Sequence, residues 1–145
     1  EDGQTRLSGD GYASYFLEVK LPKESGYREL GLHTGNQGTA STWWAIESQT
    51  GRVLALDTQG TAGTNQESSI PVWVSASLDF QPDTAESVLI VLHLSNYHLA
   101  SGGAWNAPEF GFKADLSQVR MSEYTLDVAI FGICLIIAFY HLLLY

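Results

Sequence analysis

Apolar and polar positions alternate most regularly between Val72 and Phe80. Val72, Val74, Ala76, Leu78 and Phe80 fall on one side, and Trp73, Ser75, Ser77 and Asp79 on the other. A period of two sends successive side chains to opposite faces of a pleated strand, so the even positions are expected in the core. Tyr12 to Leu21 repeats the pattern, with Ala13, Tyr15, Leu17, Val19 and Leu21 inward, Phe16 as the exception among the others, and Pro22 as the stop. Leu30 and Leu32 suggest a second strand closed by Gly35, Asn36 and Gly38. Ser41 to Glu47 reads as a third, and Arg52 to Asp57 as a fourth after the hairpin residues Gln49-Thr50-Gly51. In the third, Trp43 and Trp44 must face opposite ways; Trp44 shares the parity of Ile46 and is the expected core member.

From Val88 to Leu94 both parities are apolar apart from His93, which predicts a central strand covered on both faces. The run then breaks into Asn96, Tyr97, His98, Ser101, Gly102, Gly103 and Trp105. Polar groups and paired glycines straight after a buried strand mark a shaped loop that could hold a ligand. The plainer reading is a glycine bulge turning the chain at a sheet edge, with Trp105 as a lid on the core. Residues 58 to 71 form a long polar loop with Gly60, Gly63 and Asn65, of the kind that is either functional or mobile. Phe110 and Phe112 make a last short apolar piece near Pro108 and Gly111, and residues 1–11, rich in glycine, read as a flexible lead-in. Short strands with frequent turn signals over residues 12–122 predict an all-β fold, an antiparallel jelly roll or β-sandwich.

The end of the chain differs in kind. Val128 to Tyr145 reads VAIFGICLIIAFYHLLLY, without a charge and without a polar stripe. As a helix it would rise roughly 27 Å, close to the thickness of a hydrocarbon core. Residues 126–145 are therefore expected to be a transmembrane α-helix surrounded by lipid, the first of several spans. His141 is either a signalling group in the span or a residue reaching the far interface.

Charge and composition narrow the function. A formal net charge of −9 excludes a phosphate-binding basic face, so no nucleic-acid partner is expected, and no electrostatic anchor to anionic lipid. Cys134 is the single cysteine, so no internal disulfide forms, and Glu1-Asp2-Gly3 shows no leader pattern. Asp57, Asp79, Asp83, Glu109 and Asp115 lack the paired context that glycoside hydrolysis needs and read as solvated surface groups. No serine sits in a nucleophile elbow, and His33, His93 and His98 lack zinc spacing. The domain reads as non-catalytic and without cofactor. A structural calcium at a jelly-roll edge is left open, with no defined ligand set.

Binding chemistry fits better. Sugars stack on indoles and need planar donors and acceptors. Trp43, Trp73 and Trp105 are candidate platforms, Asn96, His98 and Glu67 candidate hydrogen-bonding groups, and Gly102 and Gly103 the structural turn between them. The plain alternatives are that Trp73 covers a neighbouring strand, Asn96 caps its own turn and His98 is an ordinary loop histidine.

The order of these pieces resembles a known family. It comprises the Gly11-Tyr12-Ala13-Ser14-Tyr15 strand, a hairpin, a Gly-rich loop ending in proline, Ser95-Asn96-Tyr97-His98, Gly102-Gly103 with Trp105, and a span with Gly132 and Tyr140-His141-Leu142. This is similar to the extracellular sensor domain of bacterial seven-transmembrane receptors with diverse intracellular signalling modules. The resemblance implies a galactose-binding-like jelly roll, akin to carbohydrate-binding modules, periplasmic over residues 1–122 and anchored in the bacterial inner membrane. It also implies a small-molecule or glycan ligand and an intracellular signalling module further along the chain. Gln49-Thr50-Gly51 departs from the Asn-Gly hairpin that members often carry. Beside this receptor reading stands a protein-interaction or dimerisation module with no small-molecule ligand. Its exposed aromatics would meet a partner protein or a second copy of the chain, through a flat apolar patch or as a homodimer through sheet edges.

Overall fold

The computed structural model describes residues 9–23, 28–35, 37–100 and 102–144. Most of the lead-in expected over residues 1–11 therefore lies outside the described residues. Along the described chain run β1 (Gly11–Lys20), β2 (Leu30–His33), β3 (Ala40–Glu47), β4 (Val53–Gln59), β5 (Ser77–Phe80), β6 (Ser87–Asn96), β7 (Glu109–Phe112) and α1 (Lys113–Leu144). The strands form two antiparallel sheets, one ordered β1-β6-β3-β4 and the other β5-β2-β7.

β6 is central because its neighbours satisfy both of its edges: Leu92 lies opposite Tyr15 of β1 and Trp43 of β3. The even residues Val88, Ile90, Leu92 and Leu94 join Trp43, Leu30, Leu32, Leu78 and Phe80 in one core between the sheets. Full burial of each such side chain stabilises by about 1.5–3 kcal/mol. The expected cover on both faces of β6 is only half realised. The opposite face of the larger sheet carries Phe16, Val91, Trp44 and Leu56 in register, and Phe16 and Leu56 at its ends are exposed.

That two-faced apolarity also reverses the expectation for the tryptophans. Trp43 is buried at 2% exposure, whereas Trp44 is half-buried on the outer face against the His93 ring. Its parity with Ile46 is real, but Ile46 lies on the outer face too. Trp43 finds its polar partner inside, donating from Nε1 to Ser41 Oγ, which in turn donates to Gln59 Oε1.

β5 begins at Ser77, later than the alternation from Val72 implies. Ala76, Leu78 and Phe80 are buried as expected, but Val74 is exposed. Alternation reports facing, while a ladder also needs a neighbouring backbone. At Ala76 the N–H is taken by the Thr34 hydroxyl, 3.0 Å away. Asp57 also departs from its solvated reading. Its carboxylate accepts from the Thr58 and Ser77 N–H groups, tying β4 to β5.

The polar loop after β4 is folded. Thr61 and Ile70 form a bridge, Asn65 Oδ1 accepts from the Ser68 N–H, and Ser69 meets Ser95 at 2.8 Å.

The chain divides into two compact units, Glu1–Lys113 and Ala114–Tyr145. The helix starts at Lys113, well before the apolar run, because its first turns are built from helix-tolerant polar residues with Asp115 near the positive N-terminal end. Ser117 and Thr125 satisfy their hydroxyls on the Ala114 and Met121 carbonyls. From Tyr124 to Leu144 the helix runs 21 residues, and its most apolar 18 have a mean hydropathy of 2.3 with none of them buried. At roughly 1.5 Å per residue it is long and apolar enough to cross a membrane.

Candidate functional site

The turn between β2 and β3 sets the first feature. Gly38 has φ 62°, and a Cβ there would lie 2.5 Å from Trp73 Cζ3 and 2.9 Å from Trp105 Cη2. Only glycine gives both the left-handed backbone and the space. Two indoles therefore settle on this turn in an edge-to-face pair, with ring centroids 5.3 Å apart. Gln37, buried beside Gly38, fixes the approach: its Oε1 accepts the Trp105 N–H and its Nε2 donates to the Gly35 carbonyl. Trp73 and Trp105 nevertheless remain 61% and 43% exposed, so they present aromatic surface to solvent from a held position.

The second feature is a cleft on the inner side of β1. β1 is an edge strand, and the inward side chains Tyr15 and Leu17 remain about half exposed at the margin of the core. With Trp43, Leu92, Ala104 and Pro108 they line an almost wholly apolar cavity of about 280 Å³. A second, more polar hollow of about 470 Å³ shares Tyr15 and reaches Asp10, Asn96, Gly102 and Gly103. The segment from Gly102 to Pro108 thus borders both hollows and carries Trp105 between Ala104 and Asn106. A larger concavity, about 630 Å³, lies at the other end of β1 near Lys20, Lys23, Asp83 and Glu86, where opposite charges alternate and no candidate residue occurs.

The proposed hydrogen-bonding residues are mostly committed to the fold. Buried Asn96 donates to the Gly9 and Leu99 carbonyls and accepts the Leu99 N–H, which is the cap of its own turn. A Cβ on Gly102 would run into the Asn96 side chain, so the glycine makes room for this cap. His98 Nε2 sits 2.9 Å from the Ser69 carbonyl. A carbonyl only accepts, so Nε2 carries the proton and the ring pins the polar loop. Glu67 lies exposed on that loop, whose neighbour Thr64 receives the Tyr97 hydroxyl. Trp43 forms cleft floor, not an exposed platform. The structure thus brings together Trp73 with Trp105, and Asn96 with Gly102. Among the described residues no group of three or more His, Cys, Asp or Glu is placed to hold a metal.

Gln37, Gly38 and Tyr15 belong to these features and were not among the binding residues the sequence suggested. The Gly35–Gly38 turn was legible as a turn, but nothing local in the sequence says that two distant tryptophans rest on it.

No protein-family model matches the chain, and no curated protein matches it. Among solved structures it is similar to the beta-glucuronidase of Ruminococcus gnavus, over 60% of this chain, at 15% identity and a TM-score of 0.38. The chain spans 12% of that enzyme's length.

Two cations with raised pKa lie outside both features. Arg52 is raised by hydrogen bonds to Asp83 and Glu47, and Lys113 by hydrogen bonds to Glu29 and Asp79.

Proposed function

We propose that the chain is the extracytoplasmic ligand-sensing part of a membrane-bound bacterial signalling receptor, a galactose-binding-like jelly roll followed by its first membrane span. The ligand is a small molecule or glycan with at least one flat apolar face. The observation that carries this reading is the Trp73–Trp105 pair, two indoles held together on Gly38 yet left about half open to water. Exposing two such surfaces forgoes hydrophobic stabilisation, which a stacking ligand would recover. The hollows beside Tyr15 and Asn96, bordered by the same Gly102–Pro108 segment that carries Trp105, offer volume and the polar edge that hydroxyls need. The apolar helix supports a membrane anchor, with residues 1–122 on the periplasmic side and a signalling module on the other. Binding would act by favouring one of two states of the domain, which the span passes on.

The test uses the whole chain in detergent micelles, titrated with a panel of mono- and oligosaccharides while tryptophan emission and the melting temperature are followed. A binding sugar raises the midpoint in a concentration-dependent way. Trp73→Ala and Trp105→Ala should each weaken it about tenfold, ~1.4 kcal/mol, while the proteins stay folded. A panel that leaves the midpoint unmoved, or a shift that survives both substitutions, removes the site.

A further inference from the structure

The larger sheet has two edges, and they are finished differently. Past β4, the Asp57 carboxylate takes the Ser77 N–H of β5 at 2.8 Å, and the Thr61–Ile70 bridge continues the chain beyond it. β4 also carries an irregularity in its pairing between Ala45 and Ile46, which interrupts the ladder. β1 shows none of these devices. It pairs with β6 without a break from Gly11 to Lys20, and no described strand pairs with its other side. It contains no proline, and Tyr12, Tyr15, Phe16 and Leu17, from both faces, are each more than half exposed. A long, regular, apolar edge with an open row of N–H and C=O groups is a template for another strand.

We propose that this edge is a homodimer interface. Two copies of β1 pair antiparallel about a two-fold axis at Phe16, joining two four-stranded sheets into one of eight.

The occupant follows from the self-complementarity of the strand. A two-fold axis perpendicular to the sheet keeps inner faces with inner faces, so only residues of like parity can lie opposite each other. With Phe16 on the axis, Phe16 meets the partner's Phe16. Tyr15 meets the partner's Leu17 twice, one pair on each side of the axis. Ser14 meets the partner's Glu18, a hydroxyl to a carboxylate. Tyr12 meets the partner's Lys20, an aromatic ring to an ammonium. Every exposed apolar side chain of the strand gains an apolar or cation–π partner, and no like charges lie opposite each other. The outer face adds continuity. Leu56, Trp44, Val91 and Phe16 already form one row across the sheet, which the partner's Phe16 would extend through the second copy.

This proposal does not rest on the ligand reading. It is tested with the full chain in detergent micelles, measuring mass by native mass spectrometry across a dilution series. The wild-type chain should be a dimer. Phe16 is 66% exposed, so Phe16→Lys and Phe16→Glu should each keep the fold, checked by circular dichroism and melting temperature. Each alone should weaken the dimer at least tenfold by placing like charges opposite one another, and an equimolar mixture should restore a heterodimer. In a Cys134→Ser background, Phe16→Cys should cross-link on oxidation, and Tyr12→Cys, which lies opposite the partner's Lys20, should not. A monomeric wild-type chain, or a dimer indifferent to both charged variants, overturns the interface. Absence of the Phe16→Cys cross-link overturns the register even if either charged variant fails to fold.

Discussion

The Asn96 amide donates to the Gly9 carbonyl at 2.7 Å, binding the turn that follows the central strand to the chain that enters the edge strand. The same side chain closes its own turn on Leu99, so one buried residue holds three backbone groups. Removing it leaves those groups unsatisfied. Asn96→Ala should destabilise the domain by about 1–3 kcal/mol in denaturant unfolding. Asn96→Asp, which keeps the acceptor for Leu99 but sets a buried carboxylate oxygen against the Gly9 and Leu99 carbonyls, should destabilise at least as much as Asn96→Ala.

Gly38 is the seat of the tryptophan pair. Gly38→Ala meets both a left-handed backbone and two rings within van der Waals distance. It should cost about 1–3 kcal/mol and shift tryptophan emission as the rings are displaced. An unchanged spectrum would mean that the pair does not sit on the turn.

The two faces of the larger sheet differ in energetic weight although both are apolar. Leu32→Ala, in the core at 1% exposure, should lose about 2–5 kcal/mol. Leu56→Ala, on the outer face at 58% exposure, should stay within about 0.5 kcal/mol in the monomer. Paired melting curves check both.

Lys113 bridges Glu29 and Asp79 at 2.9 and 3.2 Å, and its pKa is raised above its ordinary value of 10.5 by those hydrogen bonds. A raised pKa means the folded state holds the proton more tightly. The contribution is therefore complete below about pH 10.5 and fades as pH rises through the folded value. The melting difference between the wild-type chain and Lys113→Met should be constant from neutral pH upward and shrink only in that alkaline range. A difference that vanishes near neutrality would contradict the pairing.

The apolar half of α1 has its midpoint near Cys134. Leu135→Arg should disfavour membrane insertion by about 2.5–3.5 kcal/mol, read by glycosylation mapping during translation into microsomes. Equal insertion of both chains would argue against a span.

The β-sheet elements were legible where a period of two was imposed by a single buried face, as at Ala76, Leu78 and Phe80. In β1 the same period marked the strand, but its inward Tyr15 and Leu17 stay exposed. They were misread where apolar residues occupied both faces. Trp43 and Trp44 have the same chemistry and adjacent positions, and only the arrival of β5-β2-β7 against one face buries the first. The candidate loop was visible because Asn96 and Gly102-Gly103 follow a buried run. Their roles were not, since a short polar side chain serves a cap and a ligand equally well until its partners are known.

The sequence by itself determined the strand-rich class, the apolar helix at its end, the acidic balance and the position of the turns. These depend on local periodicity and on residue types that allow few backbone conformations. Only the tertiary structure decided which tryptophans meet, which face becomes core, that Asp57 and Asn96 hold the fold, and that β1 lies at a sheet edge among the described strands. Those outcomes depend on contacts between residues far apart in the chain, and such contacts leave no periodic trace in either segment alone.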